Sequence, residues 1–197
     1  MKRTAPGSTF EITSAGRTLV FHTQPGVFSA DGPDVGTFLL LQTVLPRVKP
    51  HMTVLDLGTG TGILGIALAG LLTRGEVWMV DSDIRATRLT EQNVRENGIT
   101  NAHVVLGDIT RDLPRRRFDL VVSNPPTHSG KEVLTSFVTE SYDVLRPGGQ
   151  LYVVVNRILS VRDTMSAAFG SVEQVAHHKG FLILRSGKER RHPDKRP

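Results

Sequence analysis

The sequence predicts an α/β fold, a doubly wound and mostly parallel sheet of seven strands that finishes in an antiparallel hairpin. From residue 54 onward, short runs that are apolar on both faces alternate with helical stretches, which is typical of a parallel sheet covered on both sides. A glycine-rich turn follows the first of these runs. Near the C-terminus, the β-prone runs 172–175 and 181–184 are joined by a turn too short for a parallel crossover.

The elements are predicted in a simple order along the chain. A hairpin (10–12 and 19–21) and a helix that begins near Phe38 and ends before Pro46 precede the sheet. The other core strands are 54–57, 77–80, 104–106, 118–122 and 151–155. Helices follow the first two of these strands, one through Ala69 and one from Ile84 to Asn97 with Gly98 as its C-cap. A third helix has an apolar stripe made of Leu134, Phe137, Val138, Tyr142 and Leu145.

The length of 197 residues is enough for one well-buried core. We therefore expect a single domain over residues 1–187, of which 1–50 form an N-terminal hairpin and helix cap. The net charge of +5 is concentrated near the C-terminus, since the six basic and two acidic residues from Arg185 to Pro197 carry +4. Residues 188–197 are predicted to be a basic, flexible tail that is able to contact phosphates.

Composition excludes several classes of protein. The absence of cysteine excludes a disulfide scaffold, a thiolate zinc site and a cysteine nucleophile. The adjacent pair His177 and His178 has no third ligand at a suitable spacing, so no metal site is expected. Neither a signal peptide nor an apolar run long enough for a membrane span is visible, so we expect a cytoplasmic protein with no membrane partner. The sequence leaves the oligomeric state open.

The first candidate site lies in the run Asp56-Leu57-Gly58-Thr59-Gly60-Thr61-Gly62, at the end of the first core strand. Alternating glycines allow a sharp turn from strand to helix and a close approach of the backbone to a ligand. Asp56, Gly58, Gly60 and Gly62 are therefore predicted to bind a cofactor. The run from Gly60 to Gly65 also fits the dinucleotide pattern G-x-G-x-x-G, so a nicotinamide enzyme remains an alternative.

Two acids end the next two strands. Asp81 is placed to accept hydrogen bonds from the ribose hydroxyls of an adenosine. Asp108 is a candidate acceptor for the exocyclic amine of the adenine. Both residues are predicted to bind the cofactor, and neither separates a nicotinamide cofactor from another adenosine derivative.

The end of the fourth strand distinguishes a nicotinamide enzyme from one that uses another adenosine cofactor, because it carries Asn124-Pro125-Pro126. Two consecutive prolines make a stiff turn that lacks two N–H donors and leaves its carbonyl groups pointing outward. The Asn124 amide oxygen and the Pro125 carbonyl are then able to accept from one amine and to orient its lone pair toward an electrophile. Asn124, Pro125 and Pro126 are predicted to be catalytic, and a nicotinamide enzyme has no use for such a clamp.

These motifs resemble the amino-methylating class I methyltransferases, whose cofactor is S-adenosyl-L-methionine. More narrowly, the runs 26–29, 34–40 and 124–130 resemble the guanine-N2 methyltransferases of small-subunit ribosomal RNA, and the resemblance covers about residues 20–186. It implies the class I sheet, glycines that hold the methionine part of the cofactor, an acid at Asp81 for its ribose, and an Asn124 turn that holds the target amine. Asn124 is counted among the cofactor contacts as well.

The resemblance also implies substrate contacts beside the turn. The position after the second proline is usually aromatic in the family and is Thr127 here. Phe28 is a candidate replacement for that aromatic wall, and His128 is predicted to position the substrate. Phe28, Thr127 and His128 are thus the predicted substrate residues.

The expected function is N-methylation of the exocyclic amine of a guanine in ribosomal RNA, with RNA as the partner and no metal. A protein glutamine or a small-molecule amine would be served by the same turn. Two alternatives from other classes are an NAD-dependent oxidoreductase and a non-catalytic RNA-binding protein on the same scaffold.

Overall fold

A computed structural model describes residues 9–27, 33–108, 111–113, 117–125, 131–156 and 161–189 of the chain. Its strands are β1 (Thr9–Ser14), β2 (Arg17–His22), β3 (Thr53–Leu57), β4 (Glu76–Asp81), β5 (Ala102–Leu106), β6 (Phe118–Ser123), β7 (Leu145–Asn156), β8 (Glu173–His178) and β9 (Phe181–Gly187). Its helices are α1 (Val35–Val44), α2 (Ile63–Ala69), α3 (Ile84–Glu96), α4 (Lys131–Val144) and α5 (Arg162–Phe169), and a short 3₁₀ turn, Leu45–Arg47, follows α1.

Seven strands form one sheet in the order β5-β4-β3-β6-β7-β9-β8. β5, β4, β3, β6 and β7 are parallel, whereas β9 runs antiparallel to both β7 and β8. The predicted sheet and its C-terminal antiparallel hairpin are confirmed. The chain leaves β3 in one direction toward β4 and β5 and later crosses to its other side at β6. Ligands of open α/β sheets bind at the carboxyl ends of the strands beside such a switch.

Both faces of the sheet are covered, as the apolar strands predict. Val54 and Leu55 are successive residues of β3, both fully buried, and they belong to two different cores. The first core contains the hairpin, α1 and α2, and the second contains α4 and α5. Alternation of side chains along a strand thus divides the interior into two layers. No helix of the described residues is long and apolar enough to cross a membrane.

Two asparagine side chains at the C-terminal end of α3 attach the N-terminal hairpin to the domain. Asn97 accepts from the Val20 N–H at 2.9 Å and donates to the Val20 carbonyl at 2.7 Å. One turn earlier, Asn93 pairs in the same way with His22, at 2.8 and 3.2 Å, and also donates to the Thr61 carbonyl at 2.9 Å. The two amide groups pair with the backbone N–H and carbonyl groups of alternate residues of β2, as a neighbouring strand would. The bond from Asn93 to the Thr61 carbonyl then connects the hairpin to the glycine loop.

The prediction for the helix before β7 was wrong at its end. Leu145 was expected to be the last member of the apolar stripe, but α4 ends at Val144 and Leu145 pairs with Phe118 as the first residue of β7. Pro147 disfavours helical backbone at Arg146, the residue before it, so the helix is not able to continue through this segment. The short helix α5 was not predicted at all.

The predicted start of the basic tail also changes. The Lys188 N–H donates to the Gly149 carbonyl at 2.9 Å, and the Lys188 carbonyl accepts from Gly148 at 2.8 Å. Its ammonium group donates to the Tyr142 carbonyl at 2.6 Å and lies over the Tyr142 ring. Lys188 therefore extends the pairing of β9 with β7, and the predicted tail from residue 190 lies outside the described residues.

Candidate active site

A cavity of about 590 Å³ opens at the carboxyl ends of β3, β4, β5 and β6. Predicted site residues that line it are Gly58, Gly60, Asp81, Asp108 and Asn124. They come from four different strand ends, which the parallel sheet brings to one edge. Apolar side chains form part of the lining, among them Val27, Val80, Ala86 and Phe137. The other half of the lining is polar or charged and mostly acidic, which suits a ligand that has both apolar and polar or cationic parts.

The loop between β3 and α2 has a backbone that only glycine adopts easily. Gly58, Gly60 and Gly62 have φ angles of +75°, +58° and +85°, in the left-handed region that disfavours residues with a Cβ atom. The N–H groups of Gly58 and Thr59 both donate to the Val80 carbonyl, at 2.9 and 3.0 Å. Gly62 is the N-cap residue of α2 and does not line the cavity.

Asp56 lies beneath this loop and not in the cavity lining. It is 1% exposed, and its Oδ2 atom accepts from the Thr59 hydroxyl at 2.8 Å and from the Gly65 N–H at 2.9 Å. One carboxyl group thus ties the end of β3 to the loop and to the first turn of α2. Its effect on a ligand would pass through the loop backbone.

Burial raises the pKa of Asp56 to about 6, against hydrogen bonds from Thr59 and Gly65 that lower it, and the negative charge of Asp81 raises it further. The Oδ1 atom has no hydrogen-bond partner among the residues that the structure describes. A buried carboxylate with an unpaired oxygen is costly, so burial extends the range of the neutral form up to about pH 6.

Asp81 fixes the other side of the loop. Its Oδ2 atom accepts from the Gly60 N–H at 2.9 Å, and its Oδ1 atom accepts from the Asp83 N–H at 2.9 Å. Each carboxylate oxygen retains a second lone pair, so Asp81 is able to accept further hydrogen bonds from a ligand in the cavity. Asp83 caps α3 by accepting from the Arg85 N–H at 2.8 Å, and the Arg85 guanidinium lowers the pKa of Asp83.

Asp108 borders the cavity at the end of β5 and is more exposed than the other candidates. Its carboxylate lies 3.7 Å from the Arg111 guanidinium, and two-thirds of its side chain is accessible to solvent. Its N–H donates to Asp112 at 3.2 Å. The side chain is therefore placed at the mouth of the cavity with its carboxylate available to solvent or ligand.

Asn124 follows β6 directly and is held by residues to which the sequence analysis assigned no role. Its Nδ2 atom donates to the Thr37 hydroxyl at 2.9 Å and to Asp34 Oδ2 at 3.2 Å. The Ser123 hydroxyl beside it donates to the Leu57 carbonyl at 2.8 Å, which aligns the ends of β6 and β3. The run from Asp34 to Leu40 was part of the sequence resemblance, but no function followed from it.

The remaining predicted residues are placed only in part. Pro125 is buried next to Asn124. Phe28, Pro126, Thr127 and His128 lie outside the described residues, so their predicted roles stay predictions. Across the described ranges, no group of three or more His, Cys, Asp or Glu residues is arranged to hold a metal ion.

Comparison with known proteins identifies the family. The family described as the methyltransferase small domain matches residues 18–185, which is most of the chain. The chain belongs to this family. The match confirms the methyltransferase predicted from the sequence and decides against the nicotinamide oxidoreductase that the glycine spacing had left open.

The curated relatives of this chain are named as ribosomal RNA methyltransferases. The ribosomal RNA large subunit methyltransferase G of Streptomyces avermitilis is 35% identical over 179 residues, which cover 89% of this chain and 46% of the relative. The ribosomal RNA small subunit methyltransferase C of Cronobacter sakazakii is 34% identical over 174 residues, covering 85% and 49%. The chain thus spans about half the length of these relatives.

Solved structures agree with the fold. A T. thermophilus 16S rRNA N2 methyltransferase, solved in complex with AdoMet and guanosine, matches with a TM-score of 0.85 at 30% identity, over 92% of this chain and 50% of that one. A methyltransferase from Pyrococcus furiosus matches with a TM-score of 0.72 over 87% of this chain and 89% of its own. At 20% identity the second match supports the fold alone.

The raised pKa of Asp56 predicts a pH dependence of stability. Well below pH 3.8 the carboxyl group is protonated in both states, whereas between about pH 3.8 and 6 it ionises more readily in the unfolded chain, so stability falls as pH rises. The loss is complete above pH 6 and amounts to roughly 3 kcal/mol. Asp56→Asn keeps an acceptor for Thr59 and Gly65 but does not titrate. We expect the unfolding free energy of the wild type, minus that of the variant, to fall by this amount between about pH 3 and 7 in denaturant titrations without cofactor. The subtraction cancels the other titrating groups, and a constant difference would contradict the assignment.

Proposed function

We propose that the protein is an S-adenosyl-L-methionine-dependent N-methyltransferase that acts on the exocyclic amine of a guanine in ribosomal RNA. The observation that carries this proposal is the presence, in one cavity, of Asp81 at the end of β4, bound to the glycine loop, and Asn124 directly after β6. Asp81 supplies acceptors for an adenosine, and Asn124 supplies an acceptor for an amine. The cavity therefore has a place for each of two reactants.

The described residues fit the proposed cofactor. The cavity volume of about 590 Å³ lies within the range of roughly 300–1,000 Å³ that small-molecule sites occupy. Asp81 would accept from the ribose hydroxyls and Asp108 from the adenine amine, while Gly58 and Gly60 leave the backbone open to the methionine part. When bound, S-adenosylmethionine supplies an electrophilic methyl group.

The chain's own contribution to the reaction is to hold the acceptor amine. In the proposed arrangement the Asn124 amide oxygen and the Pro125 carbonyl accept from the two N–H groups of the amine. The lone pair of the nitrogen is then oriented toward the methyl group of the cofactor. An acceptor contact of this kind strengthens as positive charge develops on the nitrogen. Proton loss after transfer needs little help, so no general base is required.

The ribosomal RNA substrate is supported by the names of the relatives and by the guanosine bound in the T. thermophilus enzyme. A protein glutamine or a small-molecule amine would meet the same two acceptors. Methylation of ribosomal RNA requires the compartment that holds ribosomes, in line with the predicted cytoplasmic location.

Cofactor binding gives the first test of this proposal. S-adenosylmethionine and its demethylated product should each raise the melting temperature by linkage, and more strongly than NADH. Asp81→Ala should weaken their binding by a factor on the order of 10 to 100, because two ribose hydroxyls lose a charged acceptor. Isothermal titration calorimetry measures the affinities. Asp143→Ala removes an exposed acid outside the cavity lining and is the control. Tighter binding of NADH than of either ligand would contradict the cofactor assignment.

Methyl transfer gives the second test. Labelled cofactor is incubated with total RNA, ribosomal subunits and protein from a strain that lacks the gene. Label in RNA supports the proposed substrate, and label only in protein supports the glutamine alternative. Asn124→Ala should lower turnover by a factor on the order of 100, because it removes an acceptor that strengthens in the transition state. Cofactor affinity should fall far less than turnover, because the Asn124 amide oxygen faces the acceptor amine. Normal turnover of the variant would show that the turn is only structural.

The basic C-terminal segment gives the third test. Because Lys188 extends the pairing of β9 with β7, the deletion should remove residues 190–197, which contain Arg190, Arg191, Lys195 and Arg196. Each phosphate contact that the deletion removes should lower the magnitude of the log–log salt slope of RNA binding by about 0.7 to 0.9. Loss of all four cations would lower the slope by about 3 to 4 at most. Melting temperature and cofactor affinity serve as controls and should not change. An unchanged salt slope would show that the phosphates are bound elsewhere on the chain.

A further inference from the structure

We propose that Asp34 and Thr37, at the start of α1, are positioning residues that hold the Asn124 amide with its oxygen toward the acceptor amine. The inference rests on the proposed function and extends it to the N-terminal end of α1. Neither Asp34 nor Thr37 lines the cavity. They would act through Asn124 alone.

Three side chains form a closed set of hydrogen bonds. Asp34 is the N-cap residue of α1, and its Oδ1 atom accepts from the Thr37 N–H at 2.7 Å. The Thr37 hydroxyl lies 3.3 Å from Asp34 Oδ2 and donates to it. The Asn124 Nδ2 atom lies 2.9 Å from the Thr37 hydroxyl and 3.2 Å from Asp34 Oδ2. Thr37 and Asn124 are 3% and 8% exposed, whereas Asp34 is only half-buried, so the hydroxyl and the amide are the sheltered members of the set.

The charge of Asp34 sets the direction of every bond in this set. An ionised carboxylate only accepts hydrogen bonds, so the single hydroxyl proton of Thr37 points toward it. The hydroxyl then has only lone pairs to offer Asn124, and the group that faces it must be a donor. Since the amide is planar and has its donor and acceptor on opposite sides, Oδ1 is turned away from Asp34 and Thr37.

The start of α1 is fixed rigidly enough to impose this orientation. A Cβ atom on Gly36 would lie 2.8 Å from Val154 Cγ1 and 2.9 Å from Phe181 Cδ1, so only glycine allows the helix to approach β7 and β9 this closely. Asp34 and Thr37 flank Gly36 and are therefore held against the same sheet that carries Asn124. This contact explains the spacing Asp34-x-Gly36-Thr37, because the glycine allows the helix to pack on the sheet while Asp34 and Thr37 reach Asn124.

The orientation matters because an acceptor amine presents N–H donors. With Oδ1 toward the amine, Asn124 accepts from it and supports the charge that develops on the nitrogen. With the amide reversed, two sets of donors would face each other and the amine would be repelled. Asp34 thus selects the productive one of two orientations that have almost the same shape.

The test uses Asp34→Asn, which keeps an N-cap acceptor for Thr37 and so preserves the helix. The new amide is able to donate to Thr37, which reverses the direction of the bonds and turns the Asn124 amide around. Turnover should fall by a factor on the order of 10 or more, while melting temperature and cofactor affinity stay unchanged. Thr37→Val should lower turnover as well. The matched control is Thr43→Val, on the same helix, whose buried hydroxyl donates to the Leu39 carbonyl at 2.7 Å and whose loss should leave turnover unchanged.

A double-mutant cycle separates positioning from a structural effect. If Asp34 acts through Asn124, the double variant Asp34→Asn with Asn124→Ala should turn over no more slowly than Asn124→Ala alone. Losses that multiply would overturn the inference.

A readout without substrate keeps the inference separate from the proposed function. The side-chain amide resonances of Asn124, assigned by their absence in Asn124→Ala, should shift and exchange faster with water in Asp34→Asn and in Thr37→Val. Unchanged resonances would overturn the positioning role even if RNA is methylated. Shifted resonances in a protein that methylates no RNA would leave the positioning role in place and contradict the substrate.

Discussion

The cavity depends on one constraint, the path of the glycine loop between β3 and α2. Two carboxyl groups set that path through backbone N–H groups. Asp56 holds Gly65 from below, and Asp81 holds Gly60 from the side. The contact of Asp56 with Gly65 has an energetic cost, because Asp56 is buried with one oxygen unsatisfied among the described residues. Perturbed buried groups of this kind cluster at functional sites, and here the loop backbone that Asp56 supports lines the cavity.

The order of the strands places the two halves of the site together. β3 and β6 are neighbours in the sheet although they are separated in the chain by α2, β4, α3 and β5. The Ser123 hydroxyl binds the Leu57 carbonyl, so the two strands end at the same height. The glycine loop and Asn124 therefore open into the same cavity. α1 packs on β7 and β9 from the side of the first core and orients Asn124 from a third direction.

The sequence predicts features that depend on residues close together in the chain, and it misses contacts between residues that are far apart in it. Apolar strands and the polar residues after them are local patterns, so the sequence alone is enough to place the sheet, Asp81 and Asn124 at one edge. The contact of Asp34 with Asn124 joins residues 90 positions apart, and no local pattern reports it. Asp56 illustrates a different limit, since its place in the motif predicts a cofactor contact whereas the structure buries it beneath the loop. Pro147, which disfavours helical backbone at Arg146, is visible in the sequence, but the apolar stripe that runs to Leu145 outweighed it.

Charge around the cavity bears on how RNA would approach it. Among the described residues of the lining, the acids outnumber the single arginine, Arg111, and they are Asp81, Asp83, Asp108, Glu132 and Glu140. A sulfonium cofactor carries positive charge and is attracted by such a lining, whereas a phosphate is repelled by it. An RNA substrate would therefore bring only a base to the cavity and keep its backbone outside. Since the body of the chain is close to neutral, phosphate contacts must come from basic groups away from the lining, and recognition of the base and binding of the backbone become physically separate tasks.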